Sequence, residues 1–272
     1  YHSSLGGNSM DLGLKDKSVV LLASSQGLGK ATALEFAKEG AKVVISSRRD
    51  DELEKVAKEI IEATGNPNVS YFKCDITKKE DIQNLIKFAA EKNGTIDVLV
   101  NNAGGPPPGT FDQFDDEAWQ KAFELNLLSF IRAIREVLPY MRKQKRGHII
   151  NFASSSVKQT IDNLLLSNTF RAGIVGLAKS LSQELATDNI LINTIGPGKI
   201  GTSRVQQLDE AAAERKGITY EELRKQNESV IPMGRYGKPE EFAKLAVFLC
   251  SEANTYITGQ TVLVDGGMVK AL

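Results

Sequence analysis

The feature that most constrains this chain is a regular alternation between short apolar runs and long amphipathic stretches. Runs rich in Val, Ile and Leu, such as SVVLLA at residues 18–23 and AKVVISS at residues 41–47, are each followed by a stretch with helical spacing of apolar side chains. Strands that alternate with helices predict βαβ units with right-handed crossovers. The pattern therefore predicts a parallel, doubly wound sheet of about seven strands with helices on both faces.

One domain accounts for the whole pattern. From residue 10 to residue 272 we find no linker, internal repeat or low-complexity tract, so we predict a single α/β domain over this range. Residues 202–236 form a long polar insertion after the sixth predicted strand, which we interpret as a substrate lid. Residues 1–9, rich in Ser and Gly, are interpreted as an expression remnant and left out of the fold prediction.

Charge and cysteine usage argue against several classes of function. The 34 basic and 34 acidic side chains balance, whereas binding to nucleic acid or a membrane surface usually needs a positive excess. No apolar run is long enough to span a bilayer. Cys74 and Cys250 lie in apolar segments without metal-ligand spacing, which predicts buried free thiols, no metal site and a reducing, cytoplasmic location.

The turn after the first predicted strand suits a phosphate group. In LLASSQGLGK, Gly27 and Gly29 lie where the strand meets the next helix, and the unpaired N–H groups of a helix N-terminus favour an anion. An ordinary tight turn would use the same glycines. However, VNNAG after the fourth predicted strand adds a second loop at the switch point of a doubly wound sheet, where ligands bind. The two loops together predict a dinucleotide-binding crevice.

The end of the second predicted strand bears on which dinucleotide is bound. A carboxylate there would hold the ribose hydroxyls of NAD(H) and repel a 2′-phosphate. Here the strand ends in ISSRRDD, so Arg48 and Arg49 follow Ser47, and a guanidinium group binds phosphate in a bidentate manner. The alternative is that both arginines are solvated charges at the start of a helix. We favour NADP(H) over NAD(H).

Taken in order, these motifs resemble the short-chain dehydrogenase/reductase family from about Leu14 to Gly267, in its branch of 3-oxoacyl-acyl-carrier-protein-reductase-like enzymes. The resemblance rests on LASSQGLG, CDIT, NNAG, ELNLLSF, IGPGKIGT and the C-terminal stretch that begins GRYGKPEEF. It implies a Rossmann-type fold and NADP(H)-dependent carbonyl reduction or alcohol oxidation. The cofactor-binding residues that it implies, together with the two arginines, are Ala23, Ser25, Gln26, Gly27, Leu28, Gly29, Arg48, Arg49, Asp75, Ile76, Asn102, Ala103, Gly104, Arg171, Pro197, Gly198, Ile200 and Thr202.

The same resemblance implies a catalytic face that departs from the family at two positions. The family uses a Ser, a Tyr thirteen positions later and a Lys four positions after that, and these positions hold Ser154, Ser167 and Arg171 here. Asn126 matches the helix asparagine of the family's proton relay. A serine hydroxyl is a much weaker acid than a tyrosine, and an arginine holds its proton. Losing a general acid costs about 10²–10⁴ in rate.

Three interpretations of this exchange stay open. In the first, another residue donates the proton, with Lys158 as the first choice and Tyr220 on the insertion as the second. In the second, Ser154, Ser167 and Arg171 bind an anionic oxygen with little redox chemistry, and Arg171 holds the nicotinamide ribose. In the third, the protein binds NADP(H) as a sensor or structural partner without turnover.

Substrate and subunit contacts are less constrained by the sequence. Lys199 and Arg204, with Lys158 and Arg171, would give the substrate pocket a basic rim suited to an acidic or phosphorylated carbonyl compound. The predicted helices over residues 126–144 and 164–187 are those that the family uses to pair subunits. The resemblance therefore implies a homotetramer or homodimer.

Overall fold

The computed structural model of the chain describes residues 10–272, and the predicted expression remnant, residues 1–9, lies outside the described residues. Seven parallel strands form one sheet in the order β3-β2-β1-β4-β5-β6-β7. The strands are β1 (Ser18–Leu21), β2 (Lys42–Ser47), β3 (Val69–Lys73), β4 (Val98–Asn101), β5 (Gly147–Phe152), β6 (Ile190–Pro197) and β7 (Thr261–Val264). The predicted fold class is confirmed.

Helices cover both faces of the sheet. They are α1 (Gly27–Lys38), α2 (Asp50–Thr64), α3 (Lys79–Asn93), α4 (Asp116–Phe123), α5 (Ser129–Gln144), α6 (Leu165–Leu185), α7 (Ser203–Lys216), α8 (Tyr220–Ser229) and α9 (Pro239–Leu249). Helices α1, α2 and α9 pack on one face, and α3, α5 and α6 pack on the other. No helix within residues 10–272 is both long and apolar enough to cross a membrane.

The strand sequences follow from burial on both faces. In β1, Val19 and Leu21 belong to the core cluster under α1, α2 and α9, while Val20 packs into the opposite cluster. Successive side chains of a strand point to opposite faces, so a strand covered on both sides is a continuous apolar run. Phe152 and Phe242 meet edge to face at 4.9 Å in the first cluster. Cys74 and Cys250 are buried free thiols, as predicted, and burial raises the pKa of both.

One helix boundary differs from the sequence prediction. We predicted a helix that begins at residue 126, but α4 continues into α5 through a π-helical segment, Glu124–Leu128. An extra residue in one helical turn depends on how side chains pack across it rather than on apolar spacing. Such bulges occur frequently at functional sites.

The polar insertion is an ordered pair of helices rather than an irregular loop. It contains α7 and α8, and its two ends are joined at the base, where Gly201 N donates to Gly237 O at 2.8 Å and Gly237 N donates to Lys199 O at 2.9 Å. A buried pair holds the insertion together, because the Tyr236 hydroxyl donates to Asp209 at 2.7 Å. Burial and the bond to Asp209 raise the pKa of Tyr236 to about 12. We call residues 202–236 the lid, after the role predicted for them from the sequence.

Candidate functional site

The carboxyl ends of β1 to β4 surround a cavity of about 960 Å³, which we call the switch-point cavity. It lies where the strand order reverses between β1 and β4, the position at which open α/β sheets bind ligands. Its lining residues are Ala23, Ser25, Gln26, Ser47, Arg48, Arg49, Glu52, Cys74, Asp75, Ile76, Thr77, Gly104, Gly105, Leu125 and Arg204.

The turn between β1 and α1 approaches the cavity in a constrained conformation. Ala23 has a φ of 45°, in the left-handed region that costs a residue with a Cβ about 1 kcal/mol or more. Its carbonyl oxygen accepts a hydrogen bond from Asn102 Nδ2 at 2.9 Å, which ties the turn to the loop after β4. A Cβ on Gly29 would lie 2.5 Å from that oxygen. The close approach of α1 to the turn therefore requires glycine at position 29.

Two buried serines fix the same turn to β2, and the sequence analysis missed both. Ser24 N donates to Ser46 O at 2.8 Å, and Ser46 N donates to Ser24 Oγ at 2.9 Å. Ser46 Oγ also donates to Leu21 O at 2.7 Å. In the sequence, Ser24 directly follows the first apolar run and Ser46 lies within the second. A hydroxyl buried at such a position must find a hydrogen-bond partner, and this was the available signal.

Basic and acidic groups share the outer end of the cavity. Arg48 and Arg49 follow Ser47 at the end of β2, and Glu52 and Asp75 line the cavity beside them. Burial alone would raise the pKa of Asp75, but hydrogen bonds from Thr77 and the charges of Lys78 and Arg48 lower it overall. Asp75 is therefore ionised at neutral pH.

Arg171 is a buried cation at the end of β5. Its Nη1 atom donates to the carbonyl oxygens of Phe152 at 3.2 Å and Ala153 at 3.1 Å. Burial lowers the pKa of Arg171 to about 10, so the guanidinium stays protonated at neutral pH. It forms no ion pair with any residue from 10 to 272. A positive charge is thus fixed directly beside the strand end that leads to Ser154.

Ser154 and Ser167 lie on different elements, a 3₁₀ turn after β5 and helix α6. Ser154 caps the short 3₁₀ turn Ser155–Val157, because its Oγ accepts from Ser156 N at 3.1 Å. As the oxygen accepts that bond, the hydroxyl hydrogen is left to donate elsewhere. Ser167 is buried on α6, one helical turn before Arg171 and on the same face.

The two predicted substitute donors have different surroundings. Lys158 is exposed at the end of the 3₁₀ turn that Ser154 caps. The Tyr220 hydroxyl instead accepts a hydrogen bond from Arg224 Nη1 at 3.0 Å on α8. The oxygen of Tyr220 is therefore held within the lid, while its hydroxyl hydrogen is left to donate elsewhere.

Asn126 lies in the π-helical segment and is almost completely buried. Its Nδ2 donates to Ala122 O at 3.2 Å, while its Oδ1 has no hydrogen-bond partner among residues 10–272. Unpaired acceptors at such depth are uncommon and usually meet water or a ligand. The asparagine therefore offers a buried acceptor at the irregular turn of the helix.

Comparison with known proteins agrees with this architecture. A family model described as Enoyl-(Acyl carrier protein) reductase matches residues 22–269. The 3-oxoacyl-[acyl-carrier-protein] reductase FabG of Thermotoga maritima is 36% identical over 94% of this chain and 99% of its own length. Dehydrogenase/reductase SDR family member 4 of Oryctolagus cuniculus is 36% identical over 95% of this chain and 96% of its own. The chain belongs to the short-chain dehydrogenase/reductase family.

A solved member of this family has the same fold. The L-sorbose reductase of Gluconobacter frateurii, in a structure complexed with NADPH and L-sorbose, superposes with a TM-score of 0.91 at 34% identity. The alignment covers 97% of this chain and 100% of that one. These relatives are named reductases or dehydrogenases, and the short-chain dehydrogenase/reductase described here is an NAD(P)-dependent oxidoreductase.

The structure brings only part of the predicted cofactor set to the cavity of this short-chain dehydrogenase/reductase. The predicted residues that line the cavity are Ala23, Ser25, Gln26, Arg48, Arg49, Asp75, Ile76 and Gly104. The side chains of Leu28, Ala103 and Ile200 pack into the core clusters instead. Asn102 holds the turn at Ala23, and Arg171 donates to the end of β5. Of the remaining predicted positions, Gly27 and Gly29 lie in the first turn of α1, Pro197 is the last residue of β6, and Gly198 and Thr202 lie between β6 and α7.

Other lining residues were missed, and one was assigned elsewhere. Leu125, directly before Asn126, lines the cavity and also borders a groove of about 340 Å³ beside Pro106 and Pro107. Arg204 was expected at a basic substrate rim, but its side chain lines the switch-point cavity together with Arg48 and Arg49. Its position depends on the packing of the start of α7 near the start of α1, which a local motif does not encode.

Proposed function

We propose that the protein reduces a carbonyl group, or oxidises the corresponding alcohol, with NADP(H) as its preferred cofactor. The observation that carries the proposal is the pair Arg48 and Arg49 at the carboxyl end of β2. Both line the switch-point cavity, and neither forms an ion pair within the described part of the chain. Two free guanidinium groups beside a ribose site suit a 2′-phosphate. The NADPH found with the related L-sorbose reductase supports the same choice.

The residues around the cavity fit such a dinucleotide. Helix α1 begins directly after Ser25 and Gln26, which line the cavity, and no side chain caps its first N–H groups. The lack of a Cβ at Gly29 lets this helix approach the turn closely. Asp75 and Ile76, which follow β3, also line the cavity. Bound NADPH would supply the reducing equivalent, so the protein must position the carbonyl group and deliver a proton to its oxygen.

We assign Ser154 to the carbonyl oxygen, because its hydroxyl hydrogen is free while its oxygen caps the following turn. Ser167 and Arg171 then stand where the family has its Tyr and Lys. The fixed charge of Arg171 stabilises negative charge near Ser167, but its Nη1 is bound to two backbone carbonyl oxygens and an alcohol is a poor proton donor. We propose that Lys158, which shares the turn with Ser154, delivers the proton by way of solvent.

A second candidate is an NADP(H)-binding protein with little turnover. It is favoured by the engagement of Arg171 with two backbone carbonyl oxygens, which gives this side chain a structural task unrelated to catalysis. Both candidates require NADPH binding, so a binding measurement does not separate them.

Restoring the family residues tests the proposal. In the double variant Ser167→Tyr, Arg171→Lys, reduction of simple ketones should rise about 10²–10⁴-fold, because a general acid is regained. The matched control, Ser167→Phe with Arg171→Lys, adds the ring without the hydroxyl and should not gain. Thermal unfolding and NADPH titration verify that each variant is folded and loaded.

The native donor is tested separately. If Lys158 delivers the proton, Lys158→Met abolishes the native reductase activity without altering NADPH affinity. Full activity of that variant would eliminate Lys158, and wild-type protein that binds no NADPH would overturn the proposed function as a whole.

A further inference from the structure

Resting on the proposed NADP(H) function, we infer that Arg204 binds the pyrophosphate of the dinucleotide from the lid and so couples the lid to cofactor binding. Arg204 is in the first turn of α7, yet its side chain lines the switch-point cavity, whose other walls come from the ends of β1 to β4. Arg204 is the residue that the lid contributes to the lining of the switch-point cavity.

The start of α7 faces the start of α1. Thr202 caps α7, its Oγ1 accepting from Val205 N at 3.2 Å, and its Cγ2 lies 4.0 Å from the position of a Cβ on Gly27, the first residue of α1. Two helix N-termini, each with a partial positive charge, are thus adjacent at one end of the cavity. Arg204 adds a full charge at this end, where α1 would hold the pyrophosphate, whereas Arg48 and Arg49 follow β2 at the ribose end.

The charge of Arg204 is not neutralised by the chain. It is exposed and forms no ion pair or hydrogen bond through its side chain with residues 10–272. The acidic groups that line the cavity, Glu52 and Asp75, lie beside Arg48, whose charge contributes to the lowered pKa of Asp75. A diphosphate entering between the helix N-termini therefore meets an unpaired guanidinium group.

The base of the lid holds this arrangement in place. Ile200 pairs with Gly237 in a parallel bridge, so the chain enters and leaves the lid at one fixed point. The first turn of α7 begins three residues after Ile200, so it stays close to α1. Binding of the pyrophosphate by Arg204 would consequently order α7 as well as hold the cofactor.

Affinities for the two dinucleotides distinguish this role from a 2′-phosphate contact. Fluorescence titration of Arg204→Gln with NADPH and with NADH should give an equal loss of affinity for both, about 10- to 100-fold for a lost charged hydrogen bond. Arg48→Gln should weaken NADPH alone. Arg215→Gln, at the far end of the same helix, is the matched control and should change neither affinity. Hydrogen exchange should show NADPH protecting the α7 amides in the wild-type protein and not in Arg204→Gln.

Each other result contradicts the inference. Loss of NADPH affinity alone would assign Arg204 to the 2′-phosphate, and unchanged affinities would leave it a surface charge. If Arg204→Gln binds weakly but NADPH still protects α7, the coupling to the lid is wrong. Wild-type protein that binds neither dinucleotide would instead overturn the proposed function, a result seen before any variant is made.

Discussion

Arg171 supplies the hydrogen bond that Pro197 cannot give to the carbonyl oxygen of Ala153. Ala153 N donates to Ile195 O at 2.8 Å, so the next bond of the parallel ladder between β5 and β6 would come from the nitrogen of residue 197. Proline has no N–H, and Arg171 Nη1 lies 3.1 Å from the Ala153 oxygen instead. The guanidinium group is thus part of the strand end that leads to Ser154.

Removing Arg171 should therefore destabilise the fold. Arg171→Ala should lower the free energy of unfolding by about 2–4 kcal/mol, because it leaves a cavity and two buried carbonyl oxygens without this donor. Urea unfolding measures the change, with Gln183→Ala, exposed on the same helix, as the control. Equal stability of the two variants would show that Arg171 has no structural role.

A methyl group at Gly29 should disrupt the turn at the cavity. Its Cβ would lie 2.5 Å from Ala23 O and 2.8 Å from Ser24 Cα, both backbone atoms of the turn. We expect Gly29→Ala to weaken NADPH binding by about tenfold or more, since the turn must shift. Gly105 lines the same cavity, and no atom lies within 4 Å of a Cβ added there. The control variant Gly105→Ala should therefore bind NADPH normally. An unchanged affinity for Gly29→Ala would contradict the close approach.

Glycine at position 23 should stabilise the same turn. The φ of 45° at Ala23 is unfavourable for a residue with a Cβ and free of cost for glycine. Ala23→Gly should raise the free energy of unfolding by about 0.5–1 kcal/mol, the strain relieved exceeding the added entropy of the unfolded chain. Ala23→Val should have the opposite sign. Thermal melts of the wild-type protein, Ala23→Gly and Ala23→Val measure this order of stability.

His148 should make stability depend on pH. Burial lowers its pKa below the ordinary value of 6.5, while its neutral ring contacts Asn254 O through Nε2 at 3.0 Å. The unfolded chain then binds the proton more readily, so this contribution is complete above about pH 6.5 and is lost as the pH falls below it. Between about pH 8 and about pH 5.5, the wild-type protein should lose more free energy of unfolding than His148→Gln. If urea unfolding shows that both proteins lose the same stability over this pH range, the prediction is wrong.

The Tyr236–Asp209 pair should hold the lid together. Tyr236→Phe removes the 2.7 Å bond to a buried carboxylate, which should cost about 1.5–3 kcal/mol and speed proteolysis within the lid. Tyr220→Phe removes a less buried hydroxyl bonded to Arg224 and is the matched control. If both variants are cleaved at the same rate, the buried pair does not stabilise the lid.

The most regular elements were the easiest to predict. The local spacing of apolar residues predicts the strands and the helices that cover them. Glycines end helices as expected, for example Gly65 with a φ of 71° after α2. The π-helical segment at Asn126 was not predicted, because an inserted residue leaves the apolar pattern of α4 and α5 nearly unchanged. The hydrogen bonds between Ser24 and Ser46 were missed, because β1 and β2 become neighbours only in the folded sheet.

By itself the sequence determined the parallel α/β fold and the phosphate turn at its first strand, because periodicity, glycine positions and helix starts act over a few residues. Only the tertiary structure decided which polar groups meet. Arg171 reaches the carbonyl oxygen that Pro197 leaves unpaired, and Arg204 lines one cavity with Arg48, from which it is far removed along the chain. Such contacts depend on how distant segments of the chain pack together. They are stabilised by burial and hydrogen bonding in the assembled fold.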